Sequence, residues 1–192
     1  MAAEIAAEMA AAVTDPGYFL QQARNNAWAN ATLYAALAPL DPAAFAAPRP
    51  GFFPSLRETL NHIYEVDLYY IDALREGGQG RGVYVRRPIE ESAVLAAAQA
   101  ASDAALCSFC AGLTPPSLQA VRLTERREGM VAERVDWLLL HLFQHQIHHR
   151  GQAHVQLQHA GLAPPQLDDF YLTYGRVASA AGYWTDGNGG VA

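Results

Sequence analysis

The sequence contains no lysine, and all 13 of its basic residues are arginines. Without a lysine side chain, the protein cannot form a Schiff base with a carbonyl substrate or anchor pyridoxal phosphate. It also lacks the lysine that a P-loop uses to contact nucleotide phosphates. These chemistries are therefore excluded before any motif is considered.

Positive charge and cysteine are scarce as well. The 13 arginines stand against 19 acidic residues, for a formal net charge of -6, and such a chain repels a phosphate backbone. We therefore expect no nucleic-acid partner. The two cysteines, Cys107 and Cys110, stand in the stretch CSFC. Within a helical run they are interpreted as small apolar side chains one turn apart, rather than as a redox pair.

The N-terminal stretch MAAEIAAEMAAAV has no basic segment of the kind found in signal peptides, and it is too short to span a bilayer. We expect a cytoplasmic protein with no membrane partner. The 192 residues, of which 51% are hydrophobic, suit one globular domain. The predicted divisions are an Ala-rich extension over 1–14, the folded domain over 15–180 and a flexible tail over 181–192.

Helical periodicity dominates the chain, and proline and glycine mark the breaks between periodic segments. Asp15 and Pro16 have the arrangement of a helix N-cap followed by proline at the first helical position. Further helices are predicted to begin at Ser55, near residue 90 and near Glu133. The fold class that fits is all-α, a four-helix bundle, in which sites are commonly built from inward side chains on facing helices.

Two smaller elements are predicted beside the bundle helices. The stretch LQAVRLTERREGMVAERVDW, before the last bundle helix, alternates in part and indicates a small hairpin or an extended loop. The stretch QLDDFYLTYGRVAS is predicted to form a short C-terminal helix. The glycine-rich stretch GGQGRGVYVRRP follows a helix rather than a strand, so it is interpreted as a connector and not as a phosphate cradle.

Five histidines fall within the stretch HLFQHQIHHRGQAH. A spacing of four residues returns a helical side chain to nearly the same face, so His141, His145 and His149 form a row. Adjacent members can share one metal ion, whereas His141 and His149 lie about 12 Å apart along the helix axis. A third ligand has to come from another helix. His62, in LNHIYE, is the candidate, although a lone core histidine is more often simply packed.

The chain resembles the DinB-like, damage-inducible family within the larger DinB and YfiT-type superfamily of metalloenzymes. Three stretches carry the resemblance in order: NNAWANATL, FFPSLRETLNHIYEVDLYYIDAL and HLFQHQIHHRGQAHVQLQHAGLAPPQLD. The last is the most specific, since the family signature has a histidine, three residues, then a histidine followed by Arg-Gly-Gln. By position, the resemblance implies that His62, His145 and His149 bind one divalent metal ion, with zinc or nickel ahead of iron.

The resemblance also suggests what surrounds these ligands. It implies that His141 and His148 pack or hydrogen-bond around them. Glu58, one turn before His62, is a candidate hydrogen-bond acceptor or proton carrier, with a surface glutamate as the alternative. The substrate pocket is expected to be lined by Trp28, Tyr64 and Phe143.

Relatives in the superfamily include thiol S-transferases and a thiol-dependent maleylpyruvate isomerase, which implies an enzyme for small molecules. Three neutral imidazoles leave the charge of a metal ion uncompensated, so that a bound thiol or water loses its proton more readily. The first hypothesis is a transferase that activates a low-molecular-weight thiol. A metal-dependent hydrolase and a non-catalytic metal-binding stress-response module are the alternatives.

Assembly is a further expectation from the resemblance. Relatives commonly form dimers through faces of the bundle, so we expect a homodimer. Aromatic residues are enriched at such interfaces, and the candidates for exposed apolar area are Tyr69, Tyr70 and Phe170.

Overall fold

The structure is a computed structural model, and it describes residues 15–184. The bundle helices are α1 (Pro16–Leu37), α3 (Leu56–Arg75), α4 (Ser92–Ala111) and α6 (Val135–His159). The connections contain the short helices α2 (Pro42–Ala46) and α5 (Pro115–Leu118) and the strands β1 (Val121–Arg126) and β2 (Gly129–Arg134). The four-helix bundle is confirmed. The predicted N-terminal extension and residues 185–192 of the predicted tail lie outside the described residues.

The first two bundle helices begin at the capping residues that the sequence indicates. The Asp15 carboxylate accepts a hydrogen bond from the N–H of Gly17 at 2.8 Å, and Pro16 occupies the first helical position. The Ser55 hydroxyl accepts a hydrogen bond from the N–H of Glu58 at 3.2 Å. These contacts satisfy donors that the first turn of a helix cannot pair internally.

The bundle helices pack in two close pairs. Helix α1 packs mainly against α4, and α3 packs mainly against α6. Two apolar clusters fill the interior. One includes Leu106 and Leu139, and the other includes Leu60 and Leu157. The clusters lie toward opposite ends of the bundle, since each helix contributes to both from separate stretches of its length.

A layer of buried polar side chains lies between the two apolar clusters. Its members are at most 6% exposed and come from all four bundle helices: Asn26, Asn30, Asp67, Gln99, Asp103, Gln146 and Arg150. Arg150 donates hydrogen bonds to the side-chain oxygens of Asn26 at 2.6 Å and Asn30 at 2.9 Å. The Asp103 carboxylate accepts hydrogen bonds from Asn30 at 3.0 Å and Gln99 at 3.1 Å. Because buried polar groups need partners, this network constrains how the helices are rotated.

Strands β1 and β2 form the small hairpin, so this alternative is the one observed rather than an extended loop. Arg126 is opposite Gly129, and the turn therefore contains only residues 127 and 128. The Arg126 guanidinium forms an ion pair with Glu133 at 2.6 Å. Its Cζ atom lies 5.6 Å from the ring centroids of both Tyr69 and Tyr70. The ion pair links the two strands, and the contacts with the tyrosines attach the hairpin to α3.

The prediction of a short C-terminal helix over QLDDFYLTYGRVAS is wrong. Between α6 and residue 184, regular structure is limited to a 3₁₀ turn, Ala178–Ala180. Gly175 has a φ of 83°, which lies outside the right-handed helical region. Phe170 is fully buried and packs against Trp28, with ring centroids 5.5 Å apart. Tertiary packing therefore holds this segment in place of a helical hydrogen-bond ladder.

One described helix, α4, is long and apolar enough to cross a membrane by length and composition alone. The core helix of a soluble protein passes the same test, and α4 packs along α1 and α3 in this bundle. The cytoplasmic location stays a prediction.

The aromatic side chains that were expected to provide exposed area for a dimer are buried. Tyr69 is 3% exposed, Tyr70 is 4% exposed and Phe170 is 0% exposed. The hairpin packs over the two tyrosines through Arg126. The expectation that these three residues form an exposed face is therefore wrong, and the dimer itself stays a prediction.

Candidate metal centre

His62 lies two turns into α3, and its side chain is half-buried. One turn earlier, the Thr59 hydroxyl donates a hydrogen bond to Oε1 of Gln156 at 2.8 Å. Gln156 belongs to α6, so this contact fastens α3 to α6 close to His62. This contact places His62 at the junction between these two helices.

Helix α6 presents His145 and His149 one turn apart on the side that faces α3. Each is followed by a residue of the polar layer, Gln146 and Arg150, which are 0% and 6% exposed. Successive side chains on a helix are separated by about 100°. Fixing Gln146 and Arg150 in the interior therefore directs the two histidines toward His62.

The three histidines meet at one point. Their ligand nitrogens all lie within 4.8 Å of one another, and the Nε2 atoms of His62 and His145 are 3.0 Å apart. Two nitrogens at an ideal tetrahedral zinc ion are about 3.3 Å apart, given bonds of about 2.0–2.1 Å. The pair from His62 and His145 is close to this spacing, and the three residues together could hold a metal ion.

Burial keeps the imidazoles of this cluster neutral. Desolvation lowers the pKa of His62 to about 4, with a smaller effect from the charge of His149. Desolvation likewise lowers the pKa of His145 to about 3, helped by the neighbouring histidines. The pKa of His149 is also lowered, mainly by burial. A metal ion needs the unprotonated ring, so the cluster carries free lone pairs at neutral pH.

Gln152 fixes the orientation of the His149 ring. Its Oε1 accepts a hydrogen bond from Nδ1 of His149 at 2.9 Å, and its Nε2 donates to Nε2 of His148 at 2.9 Å. With the proton on Nδ1, the Nε2 atom of His149 keeps its lone pair. Gln152 stands in the Arg-Gly-Gln of the signature stretch, but it was not among the predicted site residues.

Two phenylalanines form an aromatic wall beside the cluster. The Phe53 ring lies 4.5 Å from that of His62 and 5.6 Å from that of His149. The Phe52 ring lies 6.3 Å from that of His149 and is 77% exposed. The carbonyl of Phe53 accepts a hydrogen bond from Gln156 at 2.7 Å, which ties this loop to α6. The stretch FFPS signals an apolar loop before α3, but its position over the histidines depends on tertiary packing.

His141 and His148 flank the cluster, as the resemblance suggested. The His141 ring stacks on Tyr70 with centroids 5.1 Å apart and lies 6.2 Å from the ring of His145. The Tyr70 hydroxyl accepts a hydrogen bond from Arg126 at 3.3 Å. The hairpin is therefore linked to the end of the site that carries His141.

The three residues that were expected to line the substrate pocket lie in three different surroundings. Trp28 is buried in a separate cluster with Phe170, and its indole N–H donates to Ser179 at 3.0 Å. Tyr64 lies under the guanidinium of Arg86 at 4.4 Å. Phe143 is a residue of an apolar core cluster. The aromatic side chains beside the histidines are instead Phe52 and Phe53.

Glu58 is half-buried in the first turn of α3, one turn before His62. Its role as an acceptor or proton carrier stays a prediction. The two cysteines are free. Burial raises the pKa of Cys107 to about 11 and that of Cys110 to about 12, so both thiols are protonated at neutral pH. This state agrees with their interpretation as apolar side chains of α4.

Comparison with known proteins gives a family and a fold. The model of the DinB family matches residues 9–179. The crystal structure of a DinB-like protein from Bacillus cereus ATCC 10987 is similar, with a TM-score of 0.56 and 18% sequence identity. The match covers 72% of this chain and 90% of that chain. At this identity the likeness concerns the fold alone. A search of curated proteins finds no match.

Proposed function

This chain belongs to the DinB family, and from that premise we propose that it is a metal-dependent enzyme that activates a small thiol for attack on an electrophile. One observation carries the proposal. Three imidazoles from two helices converge, with ligand nitrogens within 4.8 Å of one another. Burial lowers their pKa values, so each offers a lone pair at neutral pH.

His62, His145 and His149 are the residues that would hold the ion. Imidazole nitrogens suit zinc, nickel and iron, and zinc or nickel is the ion that we propose. Catalytic zinc sites typically have three protein ligands, which leaves a position for substrate. When bound, a divalent ion lowers the pKa of a coordinated thiol and raises the fraction of nucleophilic thiolate.

The protein's own side chains prepare the site. Gln152 orients His149 through Nδ1, so no reorientation of this ring is needed at the moment of binding. Phe53 packs against His62 and His149 on one side of the cluster. His141 is exposed at the other end. We propose that an electrophile approaches the cluster from the side away from Phe53.

The proposed reaction joins the two substrates at sulfur. With a haloalkane, the new bond forms between sulfur and carbon, the carbon–halogen bond breaks, and the thiol proton and halide ion leave to solvent. With an epoxide, a carbon–oxygen bond breaks instead and the epoxide oxygen takes up a proton. Neither case needs an oxidant or a reductant.

The test combines metal analysis with a panel of small thiols and electrophiles. Purified untagged protein is expected to hold about one divalent ion per chain, and His145→Ala is expected to lose it. The metal-loaded protein should accelerate conjugation of a small thiol to a haloalkane or epoxide. Chelation or His149→Ala should return the rate to background.

His159→Ala is the matched control, because His159 is an exposed histidine at the end of the same helix. It should keep both metal and activity. Wild-type metal content in His145→Ala would show that the site assignment is wrong. Hydrolysis of esters or amides without any thiol would replace the transferase by the hydrolase alternative. Absence of turnover across the panel would favour the metal-binding module.

A further inference from the structure

The loop before α3 is closed on itself and fixed to α6. The N–H of Arg49 donates a hydrogen bond to the carbonyl of Pro54 at 2.7 Å, which closes the loop. The side-chain amide of Gln156 donates to the carbonyl of Phe53 at 2.7 Å and accepts from the hydroxyl of Thr59 at 2.8 Å. Gln156 is 0% exposed, so one buried side chain joins the loop, α3 and α6.

A glycine lets the loop lie close to Gln156. A Cβ atom at Gly51 would stand 2.8 Å from Nε2 of Gln156 and 3.0 Å from the carbonyl oxygen of Phe53. Both distances are shorter than ordinary van der Waals contact, so a larger residue would push the loop away from α6. The loop is therefore held by its own hydrogen bond and by α6, and the backbone that carries its two phenylalanines is fixed.

Phe52 is the phenylalanine that this loop keeps exposed. It is 77% exposed, whereas the other six phenylalanines of the chain are buried or half-buried. Its ring packs edge-on against Phe53, with centroids 5.0 Å apart, and lies 6.3 Å from the ring of His149. His149 is one of the three residues that would hold the ion. An apolar ring held in solvent at this place can be covered by a molecule that binds at the ion.

We propose that Phe52 is a specificity-determining residue of the candidate metal centre, and that the thiol it selects carries a flat apolar substituent. This role rests on the proposed function, in which a thiol binds at the ion, and it defines the class of thiol that the site takes. In the proposed function the electrophile approaches from the side away from Phe53, whereas Phe52 packs against Phe53. The substituent of the thiol is therefore the group that contacts Phe52.

Two aromatic rings attract each other more strongly than their apolar area alone explains. Such pairs prefer offset or edge-to-face arrangements with ring centroids about 4.5–7 Å apart. In phenylmethanethiol one methylene separates the ring from the sulfur, so the ring stays near the histidines, and Phe52 lies within this range of His149. Because the loop fixes the backbone of Phe52, little conformational entropy is lost when the rings meet. An ethyl group is too small to cover the ring of Phe52.

The test is calorimetric titration of the zinc-loaded, full-length protein with phenylmethanethiol, cyclohexylmethanethiol and ethanethiol. Wild type and each variant are compared for one thiol at a time, so that the acidity of the thiol cancels. Phe52→Ala should bind phenylmethanethiol about three- to tenfold more weakly than wild type does, and it should bind ethanethiol equally well. Its loss should be smaller for cyclohexylmethanethiol, whose ring is not flat. Phe52→Trp should retain the affinity of wild type for phenylmethanethiol.

Tyr18→Ala is the matched control, because Tyr18 is an aromatic residue that is 66% exposed on α1, and it should bind all three thiols like wild type. Every variant should hold as much zinc as wild type, since neither Phe52 nor Tyr18 is a proposed ligand. A chain that holds no zinc, or that binds no thiol when loaded, would overturn the proposed function as well. If zinc-loaded Phe52→Ala binds phenylmethanethiol like wild type, or loses affinity for all three thiols to the same extent, the role of Phe52 alone is overturned.

Discussion

Gln152 selects which nitrogen of His149 is available to a metal ion. Its oxygen accepts the hydrogen bond from Nδ1 at 2.9 Å, which leaves the lone pair on Nε2. We expect Gln152→Leu to weaken zinc affinity about 10- to 100-fold, because the ring loses its orienting partner. Gln152→Glu should restore most of the affinity, since a carboxylate also accepts from Nδ1. Competition with a chelating dye measures the zinc affinity of both variants.

Gln158→Leu serves as the control for this substitution, because Gln158 is an exposed glutamine of the same helix. It should bind zinc as tightly as wild type. Equal zinc affinity in all four proteins would show that Gln152 does not orient the ligand. Circular dichroism verifies that the variants keep their helical content.

The lowered pKa of His145 couples protonation to stability in the metal-free protein. Its pKa is about 3 in the folded chain and about 6.5 in an unfolded one, so the unfolded state binds more protons between these values. The free energy of unfolding that His145 contributes is therefore complete above about pH 6.5 and is lost as the pH falls. Wild type should lose more stability than His145→Leu between about pH 7 and about pH 5.

Asp67 changes with pH in the opposite sense, because desolvation raises its pKa to about 8. The free energy of unfolding that Asp67 contributes is present at low pH and is lost as the pH rises toward 8. Wild type and His145→Leu both contain Asp67, so its effect on stability cancels when the two are compared in the presence of a chelator. Identical pH profiles for the two proteins would contradict the assigned pKa of His145.

At the residue scale, helical spacing brought His141, His145 and His149 to one face of a predicted helix, His62 was the candidate from another helix, and the family resemblance selected His62, His145 and His149 by position. The structure brings these three together. Gln152 and Phe53 were missed, because a glutamine or a loop phenylalanine has no chemistry that sets it apart in one sequence. Their roles follow from contacts across α6 and the loop before α3, and such contacts depend on tertiary packing.

At the element scale, the polar layer determines the rotation of α6. Arg150 is buried with its hydrogen bonds directed to α1, and burial lowers its pKa to about 10, so it remains charged at neutral pH. Removing it leaves Asp103 and the oxygens of Asn26 and Asn30 without this partner. We expect Arg150→Met to lower the free energy of unfolding by about 3–5 kcal/mol. Urea denaturation of the metal-free protein measures this loss.

Arg127→Met is the control for Arg150→Met, because Arg127 is exposed in the turn of the hairpin. Its effect on the free energy of unfolding should stay within about 0.5 kcal/mol. A similar small effect for Arg150→Met would mean that Asp103 does not depend on this guanidinium.

Capping residues and proline located the beginnings of α1 and α3, because those signals act within one turn of the chain. The segment after α6 was predicted as a helix and is irregular. In this segment Phe170 packs against Trp28 from a remote part of the chain. A contact so distant in sequence leaves no local signal.

At the scale of the whole molecule, α6 carries a row of exposed apolar side chains. Trp137, Leu140, Ile147 and Val155 are 44%, 49%, 52% and 47% exposed, and their spacing places them on the outer side of the helix. The hairpin that precedes α6 also carries exposed apolar side chains, among them Leu123 and Met130. The guanidinium of Arg134 joins the two parts, 5.3 Å from the Trp137 ring. Large exposed apolar surfaces of this kind commonly mark interaction sites.

Large side chains on one side of the centre of this row stand at about the same distance from it as smaller residues on the other side, which suits a second copy in antiparallel orientation. Trp137 and Val155 are equally distant from position 146, and Leu140 and Gly151 are almost so. A two-fold axis there places Leu140 opposite position 152 of the partner subunit, next to Gly151 of the partner subunit. A side chain at Gly151 would meet nothing within 4 Å in one subunit, so this position has room for a leucine. Two-fold interfaces repeat each contact, which doubles the apolar area that is covered.

We therefore expect a homodimer formed by the outer face of α6, with a mass twice the 20.8 kDa of one chain. Light scattering coupled to size exclusion measures the mass over a range of concentrations. Leu140→Glu and Ile147→Glu should each give a monomer, because two charges would be buried beside the two-fold axis without partners. Val94→Glu is the matched control, since Val94 is 52% exposed on α4, and it should remain dimeric. A wild-type monomer at every concentration would rule out this assembly, and a dimer that survives both α6 substitutions would move the interface to another face.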